Sequence, residues 1–320
     1  MGAGPAVGAG PEGMSASTTA PATAPAEPAT LGRQTAVLLA AYGAVVLWGV
    51  TPLATKIAVA DLDPLAVGLL RTLLAGIAAL PLIWLGRVKP PKSARGRAYL
   101  AVSALGGFVI FPLLFSFGLQ LTTAGHAALL LAILPVLTGS IAALLERRLP
   151  GGRWWLGCAI AVTGTALLVG ARFEVSLEDG SAFGDLLVLA SAVAASAGYV
   201  TGARAARETG TWAITLWGLV LGSVVLLPVL PFALGAGDLA TAGALAWGSV
   251  FYMALASSIL GYAAWYWALG QGGIGRTGLA QFVQPLVGVV LAVALLGEAV
   301  TWPMAAAAAA ILAGVALARA

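Results

Sequence analysis

The chain has 320 residues, of which 60% are hydrophobic and 9% charged. A soluble domain carries about 25% charged residues, so this chain cannot cover a surface facing water, and lipid must be the solvent for most of it. The net charge of +4 does not point to nucleic acid, because the basic residues sit in short gaps between apolar runs and form no basic module.

In chain order, residues 1–34 come first. Up to Thr30 they are mostly Ala, Pro, Gly, Ser and Thr. They lack the basic start and apolar core of a secretory signal, cannot bury a core, and read as a disordered tail. Ten apolar runs follow, each near the length of about 20 residues that crosses a bilayer. They are Thr35–Val59, Pro64–Leu85, Tyr99–Leu121, Ala124–Leu145, Trp154–Val169, Gly184–Ala203, Trp212–Phe232, Ala246–Leu269, Gly278–Leu296 and Trp302–Ala318. Only Arg172–Phe183 and the stretch around Gly235–Ala244 read as longer loops.

Basic residues orient the runs. With the N-terminus in the cytoplasm, Arg33, Arg87, Lys89, Lys92, Arg95, Arg97, Arg147, Arg148, Arg153, Arg204, Arg207, Arg276 and Arg319 all fall inside, and only Arg172 falls outside. Asp61, Asp63, Glu174, Glu178, Asp179 and Asp238 also fall outside. The expectation is an all-α membrane protein of ten transmembrane helices with both termini cytoplasmic. Heavy use of Ala, Gly, Val and Arg suggests a bacterial source, and hence the bacterial inner membrane.

An internal repeat is a second, independent signal. Gly125–Leu145 matches Gly275–Leu296 at a fixed offset, with Pro135 and Pro285 lying 150 residues apart, as do Gly125 and Gly275, and Gly164 and Gly314. Five helices per half is an odd number, so the second copy enters from the opposite side. The two units, 35–171 and 182–319, are therefore expected to be inverted five-helix repeats, an arrangement suited to alternating access. Pro135 and Pro285 lie inside helices, and Pro52 in the first run; proline removes a backbone hydrogen bond and bends a helix. These three are candidate hinges on a solute path, or plain packing kinks.

The motif LWGVTPLATKIA (Leu47–Ala58), followed by LLRTLLAG (Leu69–Gly76), resembles the opening of an EamA-type transporter of the drug/metabolite transporter superfamily. AALLLAILPVLTGSIAALL and AQFVQPLVGVVLAVALLGEAVT resemble its two repeat signatures, and ASSILGYAAWYWAL (Ala256–Leu269) the helix before the second. The second copy ends in Gly297-Glu298 where the first has Arg147-Arg148 with Glu146 displaced, so no function is carried over to these end charges. The resemblance implies a ten-helix permease with a central cavity that exports amino acids, related metabolites or drugs.

Charged and polar groups within spans are the site candidates. Arg71, two turns into the second helix, is placed to meet a carboxylate, or to clamp carbonyls. Lys56 has the same chemistry, or snorkels outward and pairs with Asp61 or Asp63. Gln281 and Gln284 precede Pro285, where the first copy has Leu131 and Leu134; they are solute ligands or an interhelical bond. Trp48 and Tyr199, in the paired first and sixth helices, and Tyr262 with Trp265 in the eighth, form an aromatic wall or simple packing. His126 is able to titrate near neutral pH. No Asp or Glu is expected deep in a span, which disfavours a carboxylate proton relay and leaves a uniporter, an exchanger, or a path through His126 or a lysine.

The lone cysteine, Cys158, and the single histidine exclude a disulfide framework and a metal cluster. No cofactor is expected, and no Walker motif is present for ATP to drive the chain. Gly270–Arg276 lacks the strand of a nucleotide loop and reads as a turn. The reading is a non-enzymatic transporter, an exporter of small polar metabolites such as amino acids. Alternatives are a multidrug exporter of the same fold and, more remotely, a membrane enzyme, channel or scaffold. Its partners are a small-molecule substrate and the lipid bilayer, with no nucleic acid; a homodimer is left open.

Overall fold

A computed structural model describes residues 31–147, 151–173, 181–235 and 239–319, with Met1, Gly2 and Gly4. Every regular element among them is a helix. We number the helical segments in chain order: α1 Gly32–Asp61, α2 Pro64–Gly86, α3 Ala94–Leu121, α4 Ala124–Glu146, α5 Gly152–Phe173, α6 Ala182–Thr209, α7 Thr211–Gly235, α8 Ala244–Gly272, α9 Val283–Leu296 and α10 Trp302–Arg319. Among the described residues, seven of these (α1 to α4 and α6 to α8) are long and apolar enough to cross a membrane, and Val283–Leu296 and Trp302–Gly314 are shorter apolar helices. Helix begins at Leu31, inside the segment read from sequence as tail; residues 5–30 of that tail and most of the Arg172–Phe183 loop lie outside the described residues.

Local chemistry sets the helix starts. Asp63 accepts from Leu65 N at 2.8 Å ahead of Pro64, Ser93 from Gly96 N at 2.8 Å, and Thr123 from His126 N at 3.2 Å, each supplying an acceptor that a helix N-terminus lacks. Backbone irregularities recur in both halves of the chain. Leu105–Ile110 in α3 and Met253–Gly261 in α8 are π-helical. Leu131–Ile133 before Pro135 and Leu279–Phe282 before Pro285 are 3-10 turns. Arg147 and Gly297 both close a helix in left-handed conformation, at φ 52° and 67°. α1 is interrupted at Val50, immediately before Thr51-Pro52.

α5 packs on α10, α4 on α9, α2 on α7, α3 on α6 and α1 on α8. Small residues permit the close approaches: a Cβ on Gly106 in α3 would lie 2.4 Å from the Ala194 carbonyl in α6. With no hydrophobic drive between helices in lipid, such backbone proximity is what gains packing.

Carboxylates from one half cap helices of the other. Glu208, ending α6, accepts from Lys92 N and Ser93 N at 2.9 Å each, at the start of α3. Asp61, ending α1, accepts from Gly243 N at 3.0 Å, at the start of α8. Glu298 accepts from Ala124 N and Gly125 N at 2.8 Å each, at the start of α4. A carboxylate there satisfies orphan N–H groups and faces the positive end of the helix dipole.

Candidate functional site

The interior holds an aromatic cluster built by α1, α6 and α8. Trp48 stacks on Tyr199, with centroids 5.1 Å apart and planes 13° from parallel. It meets the edges of Tyr262 at 5.1 Å and Trp265 at 5.4 Å. Tyr262 also packs on Phe108 at 4.5 Å. Trp48, the three rings around it and Phe108 are all buried.

The π-helical stretches explain why these rings sit where they do. A π-helix breaks the regular hydrogen-bond ladder, and a carbonyl left over in lipid needs a partner from the protein. Trp48 Nε1 donates to Ser257 O at 3.0 Å, within the α8 stretch. Tyr262 Oη donates to Gly107 O at 3.1 Å, and Thr72 Oγ1 to Phe108 O at 2.8 Å, both within the α3 stretch. Tyr252 Oη donates to Leu47 O at 2.7 Å, beside the break in α1.

Arg71 borders this cluster. It is 2% exposed, and its guanidinium carbon lies 5.7 Å from the centre of the Phe111 ring. Tyr262, Tyr199 and Tyr252 are within electrostatic reach. Among the described residues, Arg71 Nε and Nη1 reach no hydrogen-bond acceptor. A cation buried with open donors is costly unless an anion or acceptor joins it.

The other sequence candidates go elsewhere. Gln281 and Gln284 are buried where α9 begins, and Gln281 Nε2 and Oε1 with Gln284 Oε1 find no partner among the described residues. Lys56 donates to Leu119 O at 2.9 Å and Thr122 O at 2.7 Å; it clamps the end of α3 instead of facing the aromatic rings. Pro135 and Pro285 follow their 3-10 turns on α4 and α9.

No acid was expected deep in a span, and an acid is nonetheless buried at the end of one. Asp185, in the first turn of α6, is fully buried. Its Oδ2 lies 3.1 Å from His126 Nε2 on α4, and its Oδ1 accepts from Thr122 Oγ1 at 2.8 Å. Nothing beside Asp185 in the sequence marks it as buried, since its contacts come from residues about sixty positions earlier.

The two ends of the bundle differ. At the end with Asp61, Ala124 and Asp185, Glu298 meets the start of α4, Lys56 the end of α3 and His126 the carboxylate of Asp185. At the other end an open cavity of about 740 Å³ is lined by Arg87, Lys89 and Arg207 and reaches Tyr266 in the interior. Tyr266 Oη shares a hydrogen bond with Ser103 Oγ at 2.8 Å and packs on Tyr262 at 5.7 Å, so one lining residue of this cavity touches the aromatic cluster. Among the described residues no group of three or more His, Cys, Asp or Glu is arranged to hold a metal ion.

Several membrane-length apolar helices around a buried polar and aromatic interior define a multi-pass membrane transporter, and comparison with known proteins agrees. The EamA-like transporter family matches residues 35–170 and 182–320. The chain belongs to the EamA-like transporter family. It is 35% identical over 280 residues to the uncharacterized transporter YdeK of Bacillus subtilis, covering 87% of this chain and 94% of that one. It is 28% identical over 280 residues to a probable amino-acid metabolite efflux pump of Salmonella typhimurium, covering 84% and 90% of the two chains. A probable terminal-alkyne amino-acid exporter of Streptantibioticus cattleyicolor is 29% identical over 212 residues, 66% of this chain and 69% of that one. A solved crystal structure with 22% identity superimposes with a TM-score of 0.61 over 89% of this chain and 96% of its own, which supports the fold.

Proposed function

We propose that this chain is a ten-span carrier made of two inverted five-helix halves, 35–171 and 182–319, which exports a small carboxylate-bearing metabolite by alternating access. An amino acid or an amino-acid derivative is the substrate class. The observation that carries the reading is Arg71: a buried guanidinium whose Nε and Nη1 reach no acceptor among the described residues, within electrostatic reach of Tyr262, Tyr199 and Tyr252. A substrate carboxylate would supply the missing acceptor, and the rings would take an apolar side chain.

The inverted arrangement is supported by the packing. Exchanging the two halves maps α3 on α6 into α8 on α1, and leaves the other three pairings unchanged. The Asp61 cap of α8 likewise exchanges with the Glu208 cap of α3. Relatives named for export of amino acids or their metabolites support the substrate class. The clustering of basic residues supports an inner-membrane protein with both termini cytoplasmic, which makes the open cavity the cytoplasmic one.

A multidrug exporter is the second reading, favoured by the aromatic cluster. Arg71 argues against cationic drugs, since a like charge at that depth is repelled. Purified protein in liposomes, without ATP, is expected to move labelled amino acids or organic acids, and Arg71→Ala to abolish that movement while the protein still folds. Transport of lipophilic cations with no effect of Arg71→Ala would overturn the carboxylate reading.

A further inference from the structure

We propose that the chain holds an anionic phospholipid at its basic end, with the headgroup in the open cavity of about 740 Å³ and an acyl chain in the apolar groove beside it. Arg87 and Lys89 follow the end of α2, and Arg207 lies in the last turn of α6. All three line the cavity, and no carboxylate does. Among the described residues none of the three is held in an ion pair. The backbone that carries two of them is pinned: Arg87 stands in left-handed conformation at φ 47°, and Trp217 Nε1 on α7 donates to Val88 O at 3.1 Å. Like charges gathered in one cavity repel, so an anion placed among them is attracted by all three. Guanidinium groups meet a phosphate through paired hydrogen bonds, and lysine adds a point charge.

The groove is what distinguishes a lipid from a soluble anion. It has a volume of about 550 Å³, lies between α1, α7 and α8, and shares Thr211, Trp212 and Trp267 with the basic cavity, so the two adjoin. Beyond those three its lining is alanine, glycine and leucine only. Along α8 it runs from Trp267 to Leu260, about 10 Å at about 1.5 Å per residue, away from the basic end and into the apolar span. Small residues on α1 leave the hollow open: a Cβ on Gly43 would meet nothing within 4 Å. At the junction Trp212 is exposed and Trp267 half-buried, and indoles favour the level where headgroups give way to hydrocarbon. Cations, indoles and apolar groove thus follow one another in the order of phosphate, glycerol and acyl chain, and a soluble anion would leave the groove unused. Basic pockets between membrane helices take anionic headgroups from the cytoplasmic leaflet, the side that the orientation above gives this end.

Native mass spectrometry of the full chain in detergent, with phosphatidylglycerol and phosphatidylcholine of the same acyl chains at equal concentration, tests this. The anionic lipid is expected to be retained about fivefold or more over the zwitterionic one, the effect of one basic residue near a headgroup. Arg87→Asn with Lys89→Gln and Arg207→Gln is expected to bring the ratio near one; asparagine tolerates the left-handed backbone. Arg207→Gln alone is expected to lower the ratio part of the way, and serves if the triple variant does not fold. Lys92→Gln with Arg95→Gln and Arg147→Asn removes as many charges outside the cavity and is expected to keep the preference. Gly43→Leu, which fills the groove, is expected to lower phosphatidylglycerol retention with every charge in place. A wild type without preference, or a preference lost equally in the set outside the cavity, overturns the proposal. Full retention in Gly43→Leu, or sn-glycerol 3-phosphate held as firmly as the lipid, assigns the cavity to a soluble anion and overturns it as well. Failed transport assays would sink the substrate reading and leave this measurement untouched.

Discussion

Trp48 and Tyr199 stack on one another at 5.1 Å, and they occupy α1 and α6, the first helix of each family-matched segment. The contact therefore joins the two halves at the centre of the molecule, where any relative movement of α1 and α6 must slide one ring across the other. Trp48 also satisfies the Ser257 carbonyl. Trp48→Phe is expected to keep the stack and lose that hydrogen bond, at about 1 kcal/mol. Trp48→Ala, which removes both, is expected to cost about 3–5 kcal/mol. Denaturant unfolding in detergent micelles measures both.

If Arg71 binds substrate as proposed, it should weaken the empty protein. Arg71→Met removes an under-paired buried charge and is expected to raise the thermal midpoint of the substrate-free protein. The same variant is expected to lose affinity for a carboxylate substrate by about ten- to hundredfold, the worth of a charged hydrogen bond of about 1.5–3 kcal/mol. Thermal unfolding with and without substrate separates the two effects; a lower midpoint in the empty variant would show that Arg71 is structural.

Gln281 and Gln284 stand where the first copy has Leu131 and Leu134. Each is buried with amide atoms that find no partner among the described residues. Gln281→Leu with Gln284→Leu is expected to leave stability unchanged or raise it by about 1–3 kcal/mol, the penalty of an unsatisfied buried group, and to depress transport. Liposome transport set beside a melting curve tests the pair.

Glu298 accepts two N–H groups at the start of α4. Glu298→Ala is expected to cost about 0.5–2 kcal/mol, as loss of a helix cap does, and to speed amide exchange at Ala124 and Gly125. Hydrogen-exchange mass spectrometry on the peptide that spans this helix start provides the measurement.

Gly106 has no room for a side chain, since its Cβ would meet the Ala194 carbonyl at 2.4 Å. Gly106→Ala is expected to destabilise by about 1–3 kcal/mol through overpacking. Gly248→Ala, where a Cβ meets nothing within 4 Å, is expected to stabilise by about 0.5–1 kcal/mol through helix propensity. Unfolding titrations of the two variants should move in opposite directions.

Seven membrane-length helices were legible in sequence because lipid imposes length and apolarity on each, and Asp63-Pro64 marks the start of α2 plainly. The aromatic cluster was partly legible, since Trp48 and Tyr199 stand near the 150-residue offset. The π-helical stretches were not, because nothing in LGGFVI or MALASSILG separates them from ordinary helix; they depend on donors from Thr72, Tyr262 and Trp48 on other helices. Glu298 looked like an end charge because its partner is a backbone more than 170 positions away. Asp185 was missed for the same reason: burial of a charge is decided by its partners, and His126 and Thr122 are distant in sequence.

The cross-capping has a consequence for biogenesis. Synthesis runs from the N-terminus, so α4 emerges with its first amides exposed and waits for Glu298, one of the last residues made before α10. α1 likewise waits for Gly243 before Asp61 finds its acceptor role. The first half therefore enters the membrane with unfinished ends, and its final geometry is set only as the ribosome completes the second.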